Sequence, residues 1–453
     1  MMVVLGIDVG TGGVRAVAVD EAGTLVAEAE AGLVSDRHEG AAHEQEPGDW
    51  WAGVCKVSRL GDFEVAGVAV TSTSGTLVLA DACGRPVRPA ILYDDGRSAA
   101  VGAALGVNAS FSLAKAAWVR ECEPEVWRRT RWILHPADWL TGKLTGEFGV
   151  ADHSNVLKLG YSPETHSWTH AALPAERLPR VVRPGVRLGG ISREAAAETG
   201  LRAGTPVFAG ATDGMAGLIA SGASRPGDAN TTLGTTLVWK ALCETRPVLK
   251  YGIYCHLHPT GLWAPGAASN TGPGVLRTAD AGAGDAEKDA LAERYLPSPV
   301  LGYFLSGAGE RFPFLNPQAT GFCEGEAGDA GERHAARLQS LAFVERWGYE
   351  LMEQCGVRTG EVVYSTGGAA RSGVFSALRA SVLKRRIALP RYPSAAFGAA
   401  VLAASGAWFE GDTGEAIRAM TSVCAWWEPQ ITRPYDELYL RFREACARRG
   451  YGA

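Results

Sequence analysis

At 453 residues the chain exceeds one ordinary core, and its length predicts two large domains. Its 44 basic and 49 acidic residues leave a net charge of -5 with no block of Lys or Arg, which argues against a nucleic-acid partner. Nine cysteines, an odd number with no C-x-x-C pair, predict reduced thiols in a cytoplasmic protein.

The N-terminus runs through Val3, Val4 and Leu5 into Asp8 without the pattern of a secretory signal. Residues 3–7 read as a strand, residues 10–13 as a Gly/Thr turn and residues 14–19 as a second strand; Gly23 separates these from a third strand at 24–29, so an antiparallel meander opens the protein. The Trp50, Trp51, Val54, Val57 spacing predicts a helix over 49–60. A buried strand at 65–71 leads into the turn Ser72-Thr73-Ser74-Gly75-Thr76, and a strand at 77–80 follows. The stretch 99–140 reads as helical, with Trp118, Trp132 and Trp139 assigned to the core.

In the second half, residues 231–238 repeat the strand, Gly/Thr turn, strand theme, which points to a weak internal duplication. A long helix over 335–355, a strand at 361–364, the turn Thr366-Gly367-Gly368-Ala369 and a helix over 373–383 follow. The longest uncharged apolar stretch, 395–409, is shorter than the roughly 20 residues a membrane span needs and predicts a buried helix; no membrane partner is expected. The domain boundary is placed near 216–226, giving an N-terminal domain of 1–220 and a C-terminal domain of 221–453.

Three segments carry candidate chemistry. In Gly6-Ile7-Asp8-Val9-Gly10-Thr11-Gly12-Gly13-Val14-Arg15, glycines let backbone N–H groups converge on an anion, Thr11 adds a hydroxyl and Arg15 a positive charge. Asp8 would repel a phosphate unless a cation stood between them, so the pattern suits a metal–phosphate site as well as an ordinary hairpin. The turn Gly234-Thr235-Thr236 offers a second grip on a polyphosphate. Asp213 ends an apolar strand in Ala209-Gly210-Ala211-Thr212-Asp213-Gly214, where spacing alone favours a helix cap over a catalytic base. A G-x-x-x-x-G-K-[ST] loop is missing, as are the H-R-D and D-F-G elements of protein kinases.

Taken together, Asp8-Val9-Gly10-Thr11 with Arg15, Asp213, Gly234-Thr235-Thr236, Thr366-Gly367-Gly368-Ala369 and Phe397-Gly398-Ala399-Ala400 resemble the FGGY carbohydrate kinases, in family order over most of the chain. Ser112-Leu113-Ala114-Lys115 with Trp118, and Tyr93-Asp94-Asp95-Gly96-Arg97, resemble two further family segments, with Tyr93 where Trp is usual. Thr73-Ser74-Gly75-Thr76, the segment 153–163 and Gly309-Glu310-Arg311-Phe312-Pro313 look most like the xylulokinase-like D-ribulose kinases of cyanobacteria and plants.

The resemblance implies an α/β fold of two actin-like, ribonuclease-H-like ATPase domains, with ATP and sugar in an interdomain cleft. It implies a kinase acting on the terminal hydroxyl of a ketopentose, D-ribulose first, with xylulose or another polyol, or a non-enzymatic ATP-binding switch, as alternatives. Asp213 would be the base, and Asp8 and Asp213 would face Mg²⁺. Asp8, Gly10, Thr11, Gly12, Gly13 and Arg15, with Gly234, Thr235 and Thr236, would hold the phosphates of ATP. Gly272, Gly367, Gly368 and Ala369 would line the nucleotide, and Ser372 stands where the family usually has an Asn near the adenine. Ser74 and Asp95 would contact the sugar, although Asp95 and Arg97 also read as a surface ion pair. Monomer and homodimer both remain open.

Overall fold

The computed structural model describes residues 1–277 and 285–452. The chain divides into unit one, Met1–Ala220 with Tyr392–Thr421, and unit two, Ser221–Arg391 with Ser422–Ala453.

Unit one opens with β1 (Met2–Val9), β2 (Gly13–Val19) and β3 (Leu25–Gly32), whose apolar, alternating residues build the expected meander. Helix α1 (Pro47–Val57) starts on a proline and buries Trp50, Trp51, Val54 and Val57. Strand β4 (Glu64–Ser72) lies parallel to β1. Helices α2 (Ser112–Cys122) and α3 (Pro136–Thr145) follow, then β5 (Val150–Asp152), β6 (Arg187–Gly190), β7 (Pro206–Phe208) and α4 (Asp213–Ala220).

The stretch expected to be helical is broken by the strand Trp132–Leu134, which pairs antiparallel with Val78–Ala80. An aromatic and a β-branched residue in so short a run suit a pleated surface better than a helix. Only Trp139 of the three expected core tryptophans is buried; Trp118 and Trp132 are half-buried, each with an arginine over its ring, Arg97 at 4.9 Å and Arg131 at 3.7 Å.

Unit two carries β8 (Ala229–Leu233), β9 (Leu237–Ala241), β10 (Tyr254–Leu257), β11 (Trp263–Ala268), α5 (Asp285–Glu293), α6 (Ala330–Gln354), β12 (Val362–Thr366), α7 (Gly373–Leu383) and β13 (Arg386–Pro390). The chain then re-enters unit one as α8 (Ala395–Ala407) and comes back to unit two as β14 (Val423–Trp427).

The sheet of unit one has the order β6-β7-β4-β1-β2-β3, and that of unit two β10-β11-β9-β8-β12-β13-β14. In both, a run of antiparallel strands, β1-β2-β3 in unit one and β8-β9-β11-β10 in unit two, joins a parallel pair, and an antiparallel edge strand closes the far side. The duplication suggested by the two Gly/Thr turns is therefore a duplication of sheet topology.

A cut at 220/221 alone does not describe the domains, because residues 392–421 belong with unit one. The reason is a set of contacts only glycine permits. A Cβ on Gly6 would lie 1.9 Å from the Ala396 carbonyl oxygen, and one on Gly398 would lie 1.9 Å from that of Ala216. Helix α8 thus touches β1 and α4 backbone to backbone, with Ala396–Ser405 buried. Gly6→Ala is expected to destabilise unit one by about 3 kcal/mol, measured by urea denaturation. An unchanged midpoint would show that α8 can back away from β1 without cost.

Candidate active site

In unit one the candidate residues stand at the carboxyl ends of neighbouring parallel strands, the usual ligand end of an open α/β sheet. Asp8 of β1 is in register with Thr71 of β4, Val9 with Ser72, and Ser72 bridges to Thr212 just beyond β7. Asp8, the Ser72–Ser74 turn and Asp213 are thereby brought to one edge. The turn after β1 is closed by the Gly10 N–H donating to the Gly13 carbonyl at 3.0 Å. Gly12 has open space where a Cβ would be, whereas Gly13 is needed because a Cβ would sit 2.9 Å from the Ala31 carbonyl oxygen.

The Asp8 Oδ1 is buried and has no hydrogen-bond partner among the described residues. Burial first, and then the neighbouring Asp213 charge, push its carboxyl up to about 7, with Arg15 acting in the opposite direction. Arg15 itself is held by Glu30 on β3 at 2.9 Å. Thr212, rather than Asp213, caps α4: its hydroxyl accepts from the Met215 N–H at 3.3 Å. Asp213 accepts from the adjacent Gly214 N–H at 2.6 Å.

The Ser74 Oγ is likewise buried without a hydrogen-bond partner, and its carbonyl accepts from Lys158 at 3.3 Å. Ser154 ties this region to Asp213, since its hydroxyl oxygen accepts from the Thr212 N–H at 3.0 Å. Asp152 accepts from the Ser154 N–H at 2.8 Å and from the Asn155 amide at 2.6 Å; its carboxyl is pushed up to about 6, chiefly by burial.

Asp95 and Arg97 do not form a surface pair. Asp95 is 1% exposed, accepts from the His43 N–H at 2.8 Å and receives the Arg97 guanidinium at 2.7 Å, while Arg97 also reaches Glu44 at 2.6 Å. Both Asp95 oxygens thus accept from protein donors. Lys115 is fully buried and donates to the Ala109 carbonyl at 2.6 Å; burial and the nearby Lys158 push its ammonium down to about 7.

Sequence reasoning missed Gln45. Its amide N–H groups donate to the Thr11 carbonyl at 2.8 Å and to Asp36 at 2.9 Å, and its carbonyl accepts from Trp50 at 2.9 Å. It fixes the Gly/Thr turn from 34 residues away, and no local pattern announces that.

Unit two contains a cavity of about 560 Å³ lined by Gly234, Gly368, Ala369 and Ser372 among the expected residues, and by Leu233, Pro273, Leu276, Asp289, His334, Leu338, Arg371 and Phe375. Gly272, Gly367, Thr235 and Thr236 are not in the described lining. Gly272 packs on Thr236, where a Cβ would come within 2.4 Å of Cα, and Gly367 has a φ of 87° and packs on the Leu233 carbonyl. These two glycines are explained by backbone packing, whereas Gly368 faces open space. Ser372 caps α7, its oxygen accepting from the Phe375 N–H at 3.0 Å. Behind the wall, buried Arg379 joins Glu345 at 2.6 Å and Ser365 at 2.6 Å, tying α7 to α6 and β12. The carboxylate of Glu310 accepts from Ser269 at 2.7 Å and from the Asn270 N–H at 2.6 Å, anchoring the loop that leads to Gly272.

Duplicated sheets with Gly/Thr turns at corresponding strand ends, and an acidic pair in one of them, define an actin-like ATPase fold. The chain belongs to the FGGY family of carbohydrate kinases: the N-terminal domain of that family matches residues 3–220 and the C-terminal domain residues 256–407. It is thus a sugar kinase, a phosphotransferase with an alcohol acceptor, from a family whose members use ATP. A xylulose kinase from Escherichia coli (strain K12) is 28% identical over 421 residues, covering 83% of this chain and 84% of that protein. A xylulose kinase from Streptomyces rubiginosus is 35% identical over 270 residues, 54% of this chain and 55% of that one. The crystal structure of a xylulose kinase from Rhodospirillum rubrum superposes with a TM-score of 0.88 at 26% identity, covering 98% of both chains. Among the described residues no helix is long and apolar enough to cross a membrane.

A carboxyl raised from 3.8 to about 7 by folding holds its proton more tightly in the folded chain. Its contribution to stability is complete below about pH 3.8 and is lost as the pH rises through 7. In metal-free buffer, Asp8→Asn should therefore gain on wild type by roughly 2–3 kcal/mol between pH 5 and pH 8. Urea denaturation at both pH values checks this, and a pH-independent difference would contradict it.

Proposed function

We propose that this kinase transfers the γ-phosphate of ATP to the terminal hydroxyl of a ketopentose, with D-xylulose as the favoured acceptor. The observation that carries the chemistry is the pairing of Asp213 with the unsatisfied, proton-retaining Asp8 at the ends of β7 and β1, the two parallel strands that flank β4. The acceptor expected from the sequence, D-ribulose, gives way to D-xylulose because relatives spanning most of the chain are xylulose kinases.

Asp213 takes the proton from the attacking hydroxyl, and Ser74, with its unpartnered hydroxyl, holds the sugar. Thr11 and the amides of Gly12 and Gly13 receive phosphate oxygens, and Gly234, Thr235 and Thr236 of unit two offer donors of the same kind. The adenosine enters the cavity lined by Gly368 and Ala369. The bare Oδ1 of Asp8 suits a divalent cation: Asp8 and Asp213 would hold Mg²⁺, which would neutralise phosphate charge.

Asp213→Asn is expected to lower kcat by about 10³-fold while ATP binding, followed by calorimetry, persists. An unaltered kcat would remove Asp213 from proton transfer. Ser74→Ala should raise KM for the sugar by roughly tenfold with a smaller effect on KM for ATP. ADP release measured with D-xylulose, D-ribulose, aldopentoses, hexuloses and glycerol tests the acceptor, and a higher kcat/KM for D-ribulose than for D-xylulose would reverse the assignment.

A further inference from the structure

We propose that Asp289 and His334 form a reader of the purine 6-position, and that this pair makes the kinase prefer adenine over 6-oxopurine nucleotides. The inference rests on the nucleotide occupying the cavity of unit two.

Asp289 lies on α5 and His334 near the start of α6, and both line that cavity. Their side chains are 14% and 8% exposed, and the Nε2 of His334 stands 2.9 Å from the Oδ1 of Asp289. An ionised carboxylate only accepts, so Nε2 carries the hydrogen. The Nδ1 of His334 makes no hydrogen bond with a described residue. In the neutral imidazole Nδ1 is then a bare acceptor with its tautomer locked from behind by Asp289.

The rest of the wall makes this acceptor selective. Leu338, one helical turn along α6, and Phe375 present apolar surface, and Gly368 has no Cβ to obstruct a flat ring. Arg371 and Ser372 are the other polar side chains in the described lining, and the Ser372 oxygen already accepts from the Phe375 N–H at 3.0 Å. Adenine carries an amino donor at position 6, which satisfies Nδ1. Guanine and hypoxanthine carry a carbonyl oxygen there, so two lone pairs would face each other.

Steady-state kinetics at saturating D-xylulose, with ATP, ITP and purine riboside 5′-triphosphate as donors, tests the proposal. Wild type should use ATP with a kcat/KM roughly tenfold or more above both analogues, the second of which lacks any group at position 6. His334→Ala should lower kcat/KM for ATP through KM and bring the three donors together. Asp289→Asn, which can accept from or donate to Nε2, releases the tautomer and should raise ITP relative to ATP. Equal use of ATP and purine riboside triphosphate by wild type would overturn the proposal without reference to any variant. So would an equal loss for ATP and ITP in His334→Ala, the result a merely structural pair would give. Absence of sugar-dependent turnover with every donor would instead overturn the kinase reading on which the proposal stands.

Discussion

The backbone contact of α8 with β1 and α4 is the constraint on which unit one depends. Gly6 stands two residues before Asp8, and Ala216, under Gly398, stands three residues after Asp213. The helix therefore sets the spacing of the acidic pair through main chain, which has no rotamers to relax. Side-chain packing at these points would open the layers by a methyl group or more, and close-packed interiors transmit such shifts.

The two sheets share pairing but not chemistry. By strand register, Thr232 of β8, paired with Thr366, takes the place that Asp8, paired with Thr71, has in unit one. Thr232 is satisfied by Thr366 at 2.9 Å, whereas Asp8 retains a bare oxygen. One copy of the topology carries an uncharged threonine pair at that register, and the other a buried carboxylate. Duplication of a fold has thus yielded different electrostatics at matching strand ends.

What the sequence made legible was local. The Gly/Thr turns, the opening meander, the helix at 373–383 and the position of Asp213 are all written in residues that are neighbours in the chain. The assignments that changed depend on distant partners. Asp95 and Arg97 look like surface charges until His43 and Glu44 are folded over them. Gln45 and the Asp289–His334 pair have no motif, because their meaning lies in what another segment brings against them. Residues 392–421 could not be assigned to unit one by reading along the chain, since the glycine they dock on is almost four hundred residues earlier.

That return has a consequence for how the chain is made. The first 220 residues leave the ribosome without α8, so the face of β1 bearing Gly6 stays uncovered while unit two is still being synthesised. About 190 further residues must be added before the helix is out, which at roughly 5–20 residues per second is on the order of 10–40 s. Unit two is thus nested, in time as well as in sequence, inside the folding of unit one. The part of the chain translated first is the part whose core closes late, and for that interval its apolar sheet is a client for whatever guards nascent chains.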